Sequence, residues 1–129
     1  MHYLTVEEII TINRVVIEES GGSIAVREPG LLQSIVNKPR SGFGNHELSP
    51  GVFLKAAVLY EAIVNYHVFI DGNKRTGFAA MARFLSIKGY EIQVTNKELE
   101  DYTILIATTN PDLADVAAWI KKHSKKGTL

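Results

Sequence analysis

One short segment of the chain, residues 67–75, brings together the residue types that phosphate chemistry needs. It reads His-Val-Phe-Ile-Asp-Gly-Asn-Lys-Arg and joins a strongly apolar stretch to a second, amphipathic one. Backbone amides at the start of a helix point outward, and the helix dipole favours an anion there. Gly72 lets a phosphate approach the backbone closely, and Lys74 and Arg75 add positive charge. The segment therefore predicts an anion-binding helix N-terminus.

Two side chains of the segment suit a group-transfer reaction on that anion. Asp71 offers one carboxylate, and Mg²⁺ is usually held by one or two carboxylates together with water and substrate phosphates. His67 is the group in the segment that could accept a hydroxyl proton near neutral pH.

Plainer interpretations of the same residues stay open. Asp71, Gly72 and Asn73 could form an ordinary turn followed by a helix cap. Lys74 and Arg75 could be a solvated pair, although basic residues in a first helical turn oppose the dipole. A bound phosphate would explain them.

Composition excludes several classes of protein. With 129 residues, 46% hydrophobic and 22% charged, the chain predicts a single globular domain over residues 1–129. Fourteen basic and fourteen acidic residues cancel, which argues against a nucleic-acid-binding surface over the whole domain. The chain has no cysteine, which excludes disulfides and thiolate chemistry and fits a cytoplasmic protein. Because no apolar run reaches membrane-spanning length and no basic n-region opens the chain, we expect neither a membrane segment nor a signal peptide.

The elements that must position residues 67–75 are predicted to be helices. Thr5 and Glu8 have the spacing of a capping box, and an apolar stripe follows them until Gly21 and Gly22. Residues 52–66 are apolar almost all round, which is typical of the buried central helix of an all-α domain. Further predicted elements are helices beginning at Pro29, around residues 78–85, over 97–109 and over 112–122, and a short extended piece at 91–94.

The basic C-terminal run, residues 121–126, is predicted to be a frayed helix end whose cations complement the dipole. His2, His46 and His123 show no metal-ligand spacing and are expected to face solvent.

The motif His-x-Phe-x-Asp-Gly-Asn-Lys-Arg at residues 67–75 resembles the signature of the Fic/Doc (Fido) family, specifically of its Doc, or death-on-curing, branch. Similar pieces occur at residues 4–8, 29–32 and 42–44, so the resemblance covers essentially the whole chain. It implies an all-α, Fic/Doc-type helical bundle with a central helix–loop–helix and a small flap.

The resemblance also implies a role for each motif residue. His67 would be the general base for a target hydroxyl, and Asp71 would hold Mg²⁺. Phe69 would anchor the loop in the core. ATP and its phosphates would be bound by the remaining motif residues, Gly72, Asn73, Lys74 and Arg75.

The segment from Pro39 to Pro50 matches the flap of the family, which would dock the backbone of the target protein, and Gly42, Phe43 and Gly44 would lie in it. Phe43 could instead belong to a small loop core.

Two departures from the wider Fic pattern favour phosphorylation over AMP transfer. Typical Fic adenylyltransferases have glycine at the position of Lys74 and a second arginine at that of Phe78. The Doc branch shares the lysine and is associated with presentation of the γ-phosphate. The resemblance therefore implies an Mg²⁺·ATP-dependent kinase of a Ser/Thr hydroxyl on a translation factor, of the elongation factor Tu class. The alternatives are a Fic-type adenylyltransferase and a catalytically inactive binding module.

Inhibition is expected to come from a second protein. Family members that inhibit themselves carry a Ser/Thr-x-x-x-Glu pattern, and no glutamate of this chain has serine or threonine four residues before it. The resemblance therefore implies a separate antitoxin, and the chain is expected to be a toxin of a toxin–antitoxin pair.

Overall fold

The described part of the computed structural model is predominantly helical, which confirms the predicted all-α class. It covers residues 3–40, the strand pairs 42–43 and 46–47, and residues 51–127. The helices of this part are α1 (Val6–Ser20), α2 (Pro29–Asn37), a 3₁₀ helix (Lys38–Arg40), α3 (Val52–Tyr66), α4 (Asn73–Ile87), α5 (Asn96–Thr109) and α6 (Leu113–Lys122). None of these helices is both long and apolar enough to cross a membrane.

Helix α3 is the centre around which the other helices pack. Its residues from Lys55 to Tyr60 and from Ala62 to Val64 are all buried. Helix α4 packs most extensively against it, followed by α6, with α5 and α2 at its sides. The predicted central helix therefore has the predicted bounds, and its C-terminal end delivers the chain directly to His67.

The start of α1 is held as its sequence predicts. The Thr5 hydroxyl accepts from the amide of Glu8 at 3.1 Å, and the Glu8 carboxylate accepts from the amide of Thr5 at 3.0 Å. Thr95 and Glu98 form the same reciprocal box at the start of α5. Each box satisfies two amides that have no partner within the helix, so both helices begin at well-defined residues.

Helices α3 and α4 approach closely at Gly77. A Cβ atom there would lie 2.9 Å from Val64 Cγ2 and 3.3 Å from the carbonyl oxygen of Tyr60. The absence of a side chain at this position therefore sets the distance between the central helix and the helix that follows the motif.

Two short antiparallel ladders complete the described structure. Strands β1 (Gly42–Phe43) and β2 (His46–Glu47) pair within the predicted flap. Gly44 and the side chain of Phe43 lie outside the described residues, and the docking role of the flap stays a prediction.

The second ladder corrects the prediction for the C-terminal run. Lys121 and Lys122 do end α6 as predicted, but Ser124–Lys126 form strand β4, which pairs antiparallel with β3 (Tyr90–Ile92) and is not a frayed helix end. The partner of β4 is distant in the sequence, and a local charge pattern does not show it.

His123 also differs from its prediction, because it is partly buried. Its ring lies tilted against the ring of Trp119, with centroids 4.5 Å apart, and Nε2 lies 3.5 Å from Glu98 Oε2. The side chains of His2 and His46 lie outside the described residues.

Substitution of two helical glycines by alanine should have opposite effects on stability. Gly77→Ala should lower the free energy of unfolding, by an amount on the order of 1 kcal/mol, because overpacking outweighs the better helix propensity of alanine. Gly30→Ala should raise it by about 0.4–1 kcal/mol, since a Cβ at Gly30 meets no atom within 4 Å. Urea unfolding of both variants measures this. A gain in stability for Gly77→Ala would contradict the close approach of the two helices.

Candidate functional site

The predicted motif residues lie together at the junction between α3 and α4. They surround a pocket of about 260 Å³. Its lining comprises His67, Ile70, Asp71, Gly72, Asn73, Lys74 and Arg75. Phe69, by contrast, lies in the core and is 2% exposed. No described contact relates strand β1 of the flap to this pocket.

His67 is exposed where α3 ends. Its backbone has a φ of 51° and a ψ of 46°, a left-handed conformation that few residues other than glycine adopt. This conformation ends the helix and turns the chain into the loop. Because no group in the described part of the chain hydrogen-bonds the His67 ring, both ring nitrogens are open to a ligand or substrate.

The loop that follows is held in shape by Asn73. Its Oδ1 accepts from the amide of Phe69 at 3.0 Å, and its Nδ2 donates to the carbonyl of Phe69 at 2.9 Å. The side chain is thus engaged with the backbone of the loop. Sequence reasoning expected a phosphate ligand here, and the structure adds the role of loop clamp.

The connection between α1 and α2 supports the same loop from outside, a feature that sequence reasoning missed. Arg27 and Glu28 both donate amide hydrogen bonds to the carbonyl of Val68, at 2.7 and 3.1 Å. The amide of Ile70 donates to the carbonyl of Ala25 at 3.1 Å. Backbone pairing of this kind leaves no side-chain pattern in the sequence.

Asp71 is exposed, and one of its carboxylate oxygens is hydrogen-bonded to the connection between α1 and α2. The amide of Ser23 donates to Asp71 Oδ2 at 2.9 Å. Gly22 packs against the carboxylate, since a Cβ there would lie 3.2 Å from the same oxygen. The carboxylate is thereby oriented, and its second oxygen has no partner in the described structure.

The donor set fits a magnesium ion that is shared with a substrate. No group of three or more His, Asp or Glu side chains that could hold a metal occurs among the described residues. Asp71 would therefore act alone among the protein side chains, and water and phosphate oxygens would complete the hard-oxygen shell that Mg²⁺ prefers.

Helix α4 begins without a side-chain cap, as do α2, α3 and α6 and unlike α1 and α5. Its first backbone bond runs from the amide of Thr76 to the carbonyl of Gly72, at 2.8 Å. The amides of residues 72–75 consequently have no hydrogen-bond partner within the part of the chain that the structure describes. Exposed Lys74 and Arg75 surround these amides with positive charge, so this end of the helix is suited to an anion.

Glycine is required at the start of α4 for two reasons. Gly72 has a φ of 77°. In addition, a Cβ there would lie 2.9 Å from Ile17 Cδ1 and 3.3 Å from Val16 Cγ1. Helix α1 therefore packs directly beneath the loop, and any side chain at this position would displace one from the other.

Asn13 is the buried polar residue of α1 that reaches the loop. Its Nδ2 donates to the carbonyl of Asp71 at 3.0 Å and to the hydroxyl of Thr76 at 3.1 Å. Sequence reasoning missed it, although a signal was present: Asn13 continues the apolar stripe of α1 at helical spacing from Ile9, Val16 and Ile17.

A larger groove of about 730 Å³ adjoins the pocket between α1, α4 and α5. It shares Lys74 and Arg75 with the pocket, and the remaining lining is largely apolar, with two acidic side chains. These residues are Val16, Glu19, Phe78, Ala79, Asn96, Leu99, Glu100, Thr103 and Ile104.

Comparison with known proteins gives consistent matches. The model of the Fic/DOC family matches residues 3–85. The chain is 33% identical over 118 residues to a protein of Mycolicibacterium smegmatis named Toxin Doc. This alignment covers 90% of this chain and 88% of the relative. It is 26% identical over 122 residues to Protein kinase doc of Escherichia phage P1, covering 95% of both chains.

Removal of the Asn73 side chain should destabilise the loop. Asn73→Ala leaves the amide and the carbonyl of buried Phe69 without partners, so we expect a loss of roughly 1–3 kcal/mol in the free energy of unfolding. Asn65→Ala is the matched control, because Asn65 makes one 3.3 Å bond, to Glu61 within α3. The control should change stability by less than about 0.5 kcal/mol. Equal effects of the two substitutions in chemical denaturation would contradict the clamp.

Proposed function

The chain belongs to the Fic/DOC family, and on that premise we propose that it is a Doc-type toxin that phosphorylates a hydroxyl group of a cytosolic protein with Mg²⁺·ATP. The observation that carries the proposal is the uncapped start of α4. Its free amides, Lys74 and Arg75 lie in one pocket with His67 and Asp71. Each feature has a use in phosphoryl transfer, in which positioning and charge stabilisation do most of the work.

The phosphate end of ATP would lie against the amides of residues 72–75, with Arg75 as a bidentate partner and Lys74 as a point charge. Asp71, oriented by the amide of Ser23, would hold Mg²⁺. When bound, the ion neutralises charge on the phosphate oxygens.

His67 is the candidate general base. The target hydroxyl oxygen would form a bond to the γ-phosphorus while the bond from that phosphorus to the β–γ bridging oxygen breaks. The hydroxyl proton would pass to an imidazole nitrogen of His67, and ADP would leave. The exposed position of the ring, with no described hydrogen-bond partner, supports this role.

Transfer of phosphate is favoured over transfer of AMP by Lys74 and Phe78. Phe78 packs edge-on against Tyr60, with ring centroids 6.3 Å apart, and lines the large groove. An aromatic ring thus occupies the place where the adenylyltransferases have a second arginine, and Lys74 adds a cation beside Arg75 where they have glycine. The relative from phage P1, which is named a protein kinase, supports the same choice.

The proposed partners are a target and an antitoxin. We infer a translation factor of the elongation factor Tu class as the target, because the family resemblance implies it. The relative named Toxin Doc supports a toxin–antitoxin pair. An antitoxin bound in the large groove would lie beside Lys74 and Arg75 and could block nucleotide or target.

Transfer from doubly labelled ATP tests the proposal. With ATP labelled separately at the α- and γ-positions, the purified chain should transfer only the γ-label to a protein of a cell lysate. His67→Ala should reduce the rate of transfer roughly 10²–10⁴-fold, because the general base is lost. Asn110→Ala is the matched control, since Asn110 ends α5 in the same left-handed conformation, with a φ of 50°.

Transfer of the α-label would replace the kinase proposal by AMP transfer. Absence of both labels across the lysate would favour the inactive binding module. A rate for His67→Ala within a few-fold of the original would contradict the role of the histidine.

The variant Lys74→Gly tests the residue that favours transfer of the γ-phosphate over transfer of AMP. Loss of the cation should reduce γ-transfer, by roughly 10-fold or more if a charge-assisted bond is removed. Lys97→Gly is the matched control, because Lys97 occupies the second helical position of α5 as Lys74 does in α4. Mass spectrometry of the modified target distinguishes phosphoryl from adenylyl adducts. Unchanged γ-transfer by Lys74→Gly would contradict the role assigned to the lysine.

A further inference from the structure

We propose that Asn13 of α1 is a positioning residue that directs the amide of Gly72 towards the bound phosphate. The inference rests on the proposed function, because it assumes that the start of α4 binds the phosphates of a nucleotide. It concerns a residue outside the motif, on a helix that sequence reasoning assigned to the core alone.

The hydrogen bonds of Asn13 join three separate parts of the fold. Its Nδ2 donates one hydrogen to the carbonyl of Asp71 in the loop and the other to the Thr76 hydroxyl in α4. A carbonyl oxygen can only accept, so the orientation of the amide group is determined by this contact. The residue is 1% exposed, its bond to Thr76 is buried and its bond to the Asp71 carbonyl is partly buried, which limits competition from water.

The bond to the Asp71 carbonyl fixes the direction of the next amide. The peptide between Asp71 and Gly72 is trans, and in a trans peptide the N–H points opposite to the C=O. Since the carbonyl points to Asn13, the amide of Gly72 points away from it, and this amide has no partner in the described structure. The hydrogen bond from Asn13 to the Asp71 carbonyl therefore fixes the direction of one amide donor of the pocket, that of Gly72.

A role in packing alone does not explain the residue. The neighbours of Asn13 on its face of α1 are Ile9, Val16 and Ile17, all buried. A leucine would continue this stripe without the cost of burying a polar group. Glycine has no side chain to restrict its φ, so the hydrogen bond from Asn13 to the Asp71 carbonyl helps to hold the Asp71–Gly72 peptide in one orientation.

The test measures binding of Mg²⁺·ATP by calorimetry and the amide resonance of Gly72 by NMR, so it does not require a known target. In the unmodified chain, the resonance should shift as nucleotide is added. In Asn13→Leu, the dissociation constant should rise roughly 10-fold, the effect of losing one hydrogen bond to a charged group, and the shift of the Gly72 resonance should be largely lost.

Three further variants distinguish an effect on the direction of the Gly72 amide from a general loss of protein stability. Asn13→Asp preserves size but turns an oxygen towards the Asp71 carbonyl, and it should show the same loss if Asn13→Leu fails to fold. Thr76→Val removes the second bond of Asn13 and should alter the dissociation constant less than about 3-fold. Val116→Ala, in the buried interface of α6 with α3, provides a destabilised chain whose affinity should be unchanged.

The outcomes are distinguishable. If both Asn13 variants keep their affinity for Mg²⁺·ATP and the shift of the Gly72 resonance, the positioning role is overturned. The proposed function would then stand. An equal loss of affinity in Val116→Ala would overturn the positioning role as well, because the effect would then follow stability. An unmodified chain that binds no Mg²⁺·ATP would overturn the proposed function and this inference with it.

Discussion

The uncapped start of α4 is the constraint on which the rest of the structure depends. Four successive amides, those of residues 72–75, lack a protein partner in the described structure, and exposed cations surround them. Helices α1 and α5 show that the chain can build complete capping boxes. The start of α4 has no side-chain cap, as is also true of α2, α3 and α6, and its free amides are available to water or to an anion.

The elements around this turn hold it in one shape. Asn73 clamps the loop from within, the connection between α1 and α2 pairs with it from outside, and α1 packs beneath Gly72. Preorganised donors need no rearrangement when charge develops on a phosphate, which is the main way a protein accelerates its transfer. The close approach of α3 and α4 at Gly77 then fixes the distance between His67, at the end of one helix, and the amides at the start of the next.

Local signals predicted much of this arrangement. The capping box of α1, the bounds of α3 and the grouping of the motif residues in one pocket follow from spacing and residue type. Contacts between residues that are distant in the sequence could not be predicted from such local signals. Asn13, β4 and His123 acquire their partners from distant parts of the chain. Lys55 interrupts an apolar run in the sequence, yet it is 1% exposed and donates to the carbonyl of Pro39 at 2.8 Å.

A crystal structure with Mg²⁺ and a non-hydrolysable ATP analogue tests the central claim most directly. Oxygens of the terminal phosphates should lie within about 2.7–3.2 Å of the amide nitrogens of residues 72–75. A magnesium ion should lie on Asp71, and the γ-phosphate should be the phosphate nearest to His67. Phosphates bound away from the start of α4, or an α-phosphate in the place beside His67, would contradict this claim.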